Sequence, residues 1–338
     1  MSAPSTSRAA AGQGPAEPVL EVRDLSVTFG TRRGRAPVVV GLDLTVGAGE
    51  TVAVVGESGS GKSVSMLAVV GLLPTPPAVV EGSVRLAGEE VLGAGAERLR
   101  EMRGREVGMV FQDPMTSLNP VLTIGRQLTE GLEERLGMGR REARERAAEM
   151  LDLVGIREPQ RRLDEYPHQF SGGMRQRVMI ALGLSLDPKV LIADEPTTAL
   201  DVTTQAQILD LVQDLQSRLG TAVVWVSHDL GVVAGIADRV LVMYSGEVVE
   251  EAGIDALFAA PRHPYTRGLL GALPVLGRAR TELATIAGLP PDPLDRPPGC
   301  WFRPRCPSRL DDRCASMHPP LHDVAPGHRV RSFYEVSG

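Results

Sequence analysis

Gly56-Glu57-Ser58-Gly59-Ser60-Gly61-Lys62-Ser63 follows the apolar run Thr51-Val52-Ala53-Val54-Val55, so the stretch reads as strand, glycine-rich loop, helix. Glycines at 56, 59 and 61 let successive backbone N–H groups turn inward on β- and γ-phosphate oxygens. Lys62 adds a point charge, and the Ser63 hydroxyl is placed to ligate Mg²⁺. The stretch 56–63 is therefore expected to bind a nucleoside triphosphate. Lysine usage sharpens this. Of 36 basic residues only Lys62 and Lys189 are lysines, so an arginine-favouring chain keeps an ammonium at the phosphate loop.

Size and composition narrow the class. A chain of 338 residues holds about two domains. With 43% apolar and 23% charged residues it has the make-up of a soluble globular protein. A formal net charge of −6 offers no basic stripe for nucleic-acid phosphates, so no nucleic-acid partner is expected. No apolar run reaches the length of about eighteen residues that a bilayer requires. The best candidate, 66–80, is interrupted by Pro74, Pro76 and Pro77. Residues 1–18 are rich in Ala, Ser, Gly and Pro without an apolar segment, which reads as a disordered tail. Three cysteines clustered near the C-terminus do not form an extracellular disulfide framework, and the expected compartment is the cytoplasm.

Short β-type runs at 20–22, 25–29, 38–40, 42–46 and 51–55 suggest an antiparallel portion feeding a buried strand. A helix is expected from Lys62 to about Leu73, and β-like stretches near 83–86 and 107–111. Residues 124–154 carry apolar positions Leu128, Leu132, Leu136, Ala147, Met150, Leu151 and Val154 at helical spacing, an inserted helical block. Helix, strand, helix and strand follow at 174–186, 190–193, 205–219 and 222–227, the alternation of an α/β sheet. Past about residue 255 prolines crowd in and a loop-rich appendage is expected.

A phosphate loop needs carboxylates at the carboxyl end of a neighbouring strand. The run 190–193 ends in Asp194 and Glu195, which fit a metal shell and a general base respectively. A GTPase base-reading Asn-Lys-x-Asp is excluded, because Lys189 follows Pro188.

Phe170-Ser171-Gly172-Gly173-Met174-Arg175-Gln176-Arg177 resembles the signature loop of ABC-type ATPases, with Ser171 23 residues before Asp194. Gln112 matches the Q-loop glutamine, Thr198-Ala199-Leu200-Asp201 the D-loop, and His228 the switch histidine. Phe29 sits where such proteins stack an aromatic ring on adenine. The six ordered motifs span about 20–251. The resemblance implies an α/β P-loop ATPase with a RecA-like core, an antiparallel β subdomain and a helical subdomain at about 112–170, all within 19–255. Gln112 would join Ser63 and Asp194 around Mg²⁺, and His228 would steady the γ-phosphate. Ser171, Gly172, Gly173 and Asp201 would complete the ATP site of a second ATPase subunit, with two ATP molecules held head to tail. Long heptad insertions, as in DNA-repair relatives, are absent, as are the doubled ATPase units of translation-associated ones.

Gln112-Asp113-Pro114-Met115-Thr116-Ser117-Leu118-Asn119-Pro120, Tyr166-Pro167-His168-Gln169-Phe170 and His263-Pro264-Tyr265-Thr266 together look like the ATPase subunits of the oligopeptide/dipeptide importer branch, which also handles nickel. That implies two membrane-spanning permease subunits, an extracytoplasmic solute-binding protein acting indirectly, peripheral attachment at the cytoplasmic face of the membrane, and a C-terminal extension at 256–338. Similar importers often carry four cysteines there, in some holding a [4Fe-4S] cluster. This chain has Cys300, Cys306 and Cys314, with Ser332 near the place of the fourth. Four readings stay open: an iron–sulfur cluster on three thiolates with Ser332 or another ligand, zinc with a histidine such as His318, a degenerate site, or unliganded structural cysteines.

Overall fold

The computed structural model describes residues 17–198, 200–273, 286–308 and 312–333. The Ala/Ser-rich stretch read as a tail lies, for 1–16, outside the described residues, as does Ala199 of the D-loop match. Apolar alternation near the N-terminus builds a hairpin, β1 (Leu20–Thr31) with β2 (Gly34–Val46), antiparallel with Leu20 opposite Val46. After β3 (Thr51–Val55) and helix α1 (Lys62–Val69), β4 (Ala78–Leu86) and the two-residue β5 (Glu89–Glu90) complete a sheet of order β2-β1-β4-β5. Its inward residues Leu20, Val22, Leu25, Val27, Leu42 and Val84 pack with Val52, Val54, Met66 and Val69, so the antiparallel sheet covers α1 and β3.

The second sheet carries the chemistry. Helix α2 (Ala96–Arg105) leads into β6 (Val107–Val110), and the helical block follows as α3 (Pro114–Ser117), α4 (Ile124–Leu136), α5 (Arg140–Leu153) and α6 (Pro159–Arg162). The chain returns through α7 (Gly172–Leu184), β7 (Val190–Asp194), α8 (Val202–Leu219), β8 (Ala222–Ser227), α9 (Leu230–Val233), β9 (Arg239–Tyr244) and β10 (Glu247–Gly253). Strands β6, β7, β8, β3 and β9 are parallel neighbours. Every residue of β3, β7 and β8 is buried, which is why these strands are continuous Val, Ile and Ala runs with no polar face. Their carboxyl ends gather the phosphate loop, Asp194 and His228 at one rim.

The stretch 124–154 is two helices, not one. Gly137 takes the left-handed conformation (φ 67°) and caps α4, and the chain turns back into α5. Leu128, Leu132, Ala147 and Leu151 then join Val178 and Ile180 of α7 in one apolar cluster.

The C-terminal segment holds more structure than its prolines suggest: α10 (Ile254–Ala259), α11 (Pro264–Gly271), α12 (Arg313–Ser316) and a hairpin of β11 (His322–Ala325) and β12 (His328–Val330). That hairpin pairs with β10, Glu250 opposite Val330, so the main sheet runs β11-β12-β10-β9-β3-β8-β7-β6. The junction is ionic. Glu247, Glu250 and Glu251 of β10 are 4%, 0% and 7% exposed. Glu247 meets His318 Nε2 at 2.8 Å and Arg331 at 3.4 Å. Glu250 meets His328 Nε2 at 2.7 Å and accepts the His263 N–H, and Glu251 pairs with Arg239 and Arg329. No helix among the described residues is long and apolar enough to cross a membrane.

Candidate active site

A cleft of about 570 Å³ opens at the carboxyl rim, lined by Val38, the loop residues Glu57, Ser58, Gly59, Gly61, Lys62, Ser63 and Val64, and by Gln112, Glu195 and His228. The glycines are demanded by the packing under it. A side chain on Gly56 would put Cβ 2.2 Å from the Met243 carbonyl oxygen, and one on Gly61 (φ 99°) 2.9 Å from that of Val38. Ser60 is buried beneath the loop, where its carbonyl accepts the Gly246 N–H at 2.9 Å. Lys62, 4% exposed, donates to the Gly56 and Glu57 carbonyls at 2.7 and 3.1 Å. Burial lowers its pKa, opposed by the Glu195 and Asp194 carboxylates.

Beside it the Ser63 hydroxyl donates to Asp194 Oδ1 at 2.9 Å. Burial raises the Asp194 pKa and Glu195 adds to this, while the Ser63 bond and Lys62 oppose it. Glu195 takes a left-handed backbone (φ 46°), with its N–H on the Val226 carbonyl at 3.0 Å. The turn lifts its carboxylate off the strand and into the cleft. Oε1 lies 3.8 Å from the Lys62 ammonium, while Oε2 receives Gln112 Nε2 and Thr198 Oγ1 at 3.0 Å each and faces His228 Nδ1 at 3.3 Å. Gln112 thus faces Glu195 here, not the Ser63–Asp194 pair.

The residues fit the groups they were expected to hold. At Gly56 and Gly61 the walls leave no room for a Cβ, so the backbone itself faces the cleft, which suits a polyphosphate, and Ser63 with Asp194 presents two adjacent hard oxygens suited to Mg²⁺.

Ser171, Gly172 and Gly173 stand elsewhere. Ser171 caps α7, its Oγ accepting the Met174 N–H at 3.3 Å, and Ser171 and Gly172 are exposed. None of the three lines the cleft. Asp201 caps α8, accepting from Thr204 N and Oγ1 at 3.0 and 2.7 Å, bonds that lower its pKa. Phe29 is partly buried against the apolar cluster under the antiparallel sheet; it does not line the cleft, where Val38 of the same hairpin does.

The three cysteines come together at one place. Cys300, Cys306, Cys314 and Ser332 border one small cavity with Phe302 and His263. Among the described residues, however, no group of three or more His, Cys, Asp or Glu side chains is placed to hold a metal ion. Burial pushes the Cys300 thiol up to about 11. His318, the candidate zinc ligand, is engaged by Glu247 and the Gly299 carbonyl. The described residues lend no support to the iron–sulfur reading.

Residues 39–198 match the ABC transporter family, and residues 249–314 match the oligopeptide/dipeptide transporter C-terminal region. The chain is 49% identical to the oligopeptide transport ATP-binding protein AppD of Bacillus subtilis, over 95% of this chain and 98% of that one. This chain belongs to the oligopeptide/dipeptide family of ABC transporter ATP-binding proteins. A putative peptide import ATP-binding protein of Brucella abortus is 53% identical over 86% of this ABC ATPase and 87% of its own length. Among solved structures, the dimeric ATP-binding cassette MJ0796, in a post-hydrolysis state with ADP and Pi, superposes with a TM-score of 0.62 at 30% identity, covering 70% of this chain and 98% of that one. The cassette is a transport-coupled, ATP-binding ATPase with an α/β P-loop fold.

Three contacts of this ABC ATPase were not aimed by the sequence. Thr198, marked only as the first residue of the D-loop match, reaches Glu195 from the following turn. Arg305 and Tyr265, from the C-terminal segment, both reach Glu57 of the phosphate loop. The His-Pro-Tyr motif flagged Tyr265 as an aromatic anchor, but nothing in its spacing aims the hydroxyl at residue 57.

Proposed function

We propose that this subunit powers the import of peptides or a related small solute. In this reading it works at the cytoplasmic face of a membrane, paired with a second ATPase subunit and docked on two membrane-spanning subunits fed by an extracytoplasmic binding protein. The observation that carries it is that each chain presents half of two sites: the cleft of Lys62 and Glu195 lacks a signature, and Ser171 and Gly172 stand exposed, with Gly173 half-buried beside them, without a phosphate loop of their own. A second cassette supplies both missing halves. Exposed Met115 (62%) and Val121 (76%), just past Gln112, offer an apolar surface suited to a membrane subunit.

Lys62 and the loop amides hold the ATP phosphates, and Ser63 and Asp194 hold Mg²⁺, directly or through water, with Gln112 turning to it on closure. Mg²⁺ supplies neutralisation of phosphate charge. Glu195 polarises the attacking water, and His228 steadies both the γ-phosphate and Glu195. The partner's cap residues, equivalent to Ser171–Gly173 and Asp201, close over the nucleotide.

The test compares ATP hydrolysis by the isolated chain with that of the complex containing the partner ATPase and membrane subunits. Activity is expected to rise on assembly. Complex-level activity from a demonstrated monomer contradicts the shared-site reading.

A further inference from the structure

The phosphate loop of this ATPase is gripped from the far end of the chain. Arg305 Nη1 and Nη2 donate to Glu57 Oε2 and Oε1 at 2.7 and 2.9 Å, a two-point ion pair, and Arg305 is only 4% exposed. Independently, the Glu57 N–H donates to the Tyr265 hydroxyl at 2.9 Å, and Tyr265 is fully buried. The Glu57 carbonyl in turn accepts from Lys62 at 3.1 Å. One loop residue is thus held by its side chain and its N–H from the C-terminal segment, and by its C=O it touches the phosphate-binding lysine.

The grip is built to be stiff. Arg305 sits in a short turn, its N–H on the Phe302 carbonyl at 3.0 Å, and its guanidinium also reaches the Ile286 and Ala287 carbonyls at 3.3 and 3.2 Å. Phe302 packs edge-on to Tyr244 and Tyr265, with centroids 5.2 and 5.5 Å away, so the loop between Cys300 and Cys306 wedges the ring that carries the Tyr265 hydroxyl.

We infer that Arg305 and Tyr265 are positioning residues for ATP binding: acting through Glu57, the C-terminal segment sets the loop and Lys62 in the shape that receives the phosphates. Neither lines the cleft of Lys62 and Glu195, so their effect falls on nucleotide affinity and not on the hydrolytic step. The inference rests on ATP binding at Lys62 alone and stands apart from the identity of the transported solute.

The test titrates MgATP calorimetrically into the full-length chain and its Arg305→Gln, Glu57→Gln, doubly substituted, Arg305→Lys and Tyr265→Phe forms, with thermal unfolding of each without nucleotide. Arg305→Gln and Glu57→Gln are each expected to weaken ATP binding about tenfold, the loss of a charged hydrogen-bond pair. The double change is expected to be no worse than either single one, because both remove the same contact. Arg305→Lys, which keeps the charge at one point of contact, recovers part of the loss. In the assembled transporter Arg305→Gln raises the KM for ATP and leaves kcat unchanged. A merely structural role lowers the unfolding temperature without moving affinity or KM. Folded variants that bind ATP within about twofold of the parent chain, or losses that multiply between Arg305 and Glu57, overturn the inference. If Arg305→Gln does not fold, Tyr265→Phe and Arg305→Lys decide it by the same criterion.

Discussion

His228 Nδ1 lies 3.3 Å from Oε2 of Glu195, the same oxygen that Gln112 and Thr198 reach at 3.0 Å. Three groups on one oxygen fix the carboxylate plane and leave Oε1 facing the phosphate loop. This gives Glu195 the stance of a base. Glu195→Gln is expected to retain ATP binding while turnover in the assembled transporter falls by about 10²- to 10⁴-fold. Lys62→Ala, by contrast, removes ATP binding itself. Nucleotide titration beside phosphate release separates the two, and near-normal turnover with Glu195→Gln removes Glu195 from that role.

The signature is expected to act on a partner's nucleotide. A Cβ on Gly172 would meet only the Leu200 side chain, at 3.9 Å, so Gly172→Glu is sterically tolerated. Its carboxylate nevertheless puts negative charge where a γ-phosphate would arrive. The isolated variant should bind ATP like the parent chain, whereas hydrolysis by the assembled pair should fall at least about tenfold. Loss of ATP binding by the isolated variant contradicts this.

Acid should loosen the C-terminal segment through His263. Its Nδ1 accepts the Tyr265 N–H at 3.0 Å as the cap of α11, and burial lowers its pKa to about 3. The folded chain keeps this imidazole neutral while the unfolded chain protonates it below about pH 6.5, so the unfolded state binds more protons between those values. Stability is therefore full above pH 6.5 and is lost as pH falls toward 3, by up to about 1.4 kcal/mol per pH unit from this group. His263→Asn, which can still cap a helix, is expected to flatten that slope. Denaturant unfolding from pH 4.5 to 7.5 measures it, and equal slopes would exclude His263 as the source.

The thiols should differ in reactivity. With its pKa pushed up from 9.0 to about 11, Cys300 presents about a hundredfold less thiolate at neutral pH than an unperturbed thiol. Maleimide labelling followed by mass spectrometry is expected to show Cys300 reacting slowly in the folded chain and at the ordinary rate in denaturant. Rapid native labelling of Cys300 contradicts the burial argument.

The parallel strands and the phosphate loop were legible because doubly buried strands must be apolar throughout and a polyphosphate cradle must be glycine-rich. The pair β9–β10 was not read as strands. Glu247, Glu250 and Glu251 make β10 look like a solvated stretch, and partners mostly about seventy to eighty residues further on let it be a buried strand. Likewise α2, with Arg98, Arg100, Arg103 and Arg105, shows little apolar periodicity. Within the site, Lys62, Glu195 and His228, singled out from order along the chain, line one cleft, with Asp194 beside it on Ser63. It could not place Arg305 against Glu57, 248 residues away, since no local pattern encodes a contact of that range.

The glutamates of β10 also bear on how interchangeable this protein's parts are. Their partners come largely from His318, His328, Arg329 and Arg331, beyond the cassette proper. A cassette severed near residue 255 would keep its catalytic motifs yet strand Glu247 and Glu250 at a bare sheet edge and leave Glu251 with Arg239 alone. Transplanting a C-terminal segment from another ATPase would succeed only if it carried matching cations in register. Cassette and extension are one inheritable unit, and recombination between relatives should break elsewhere.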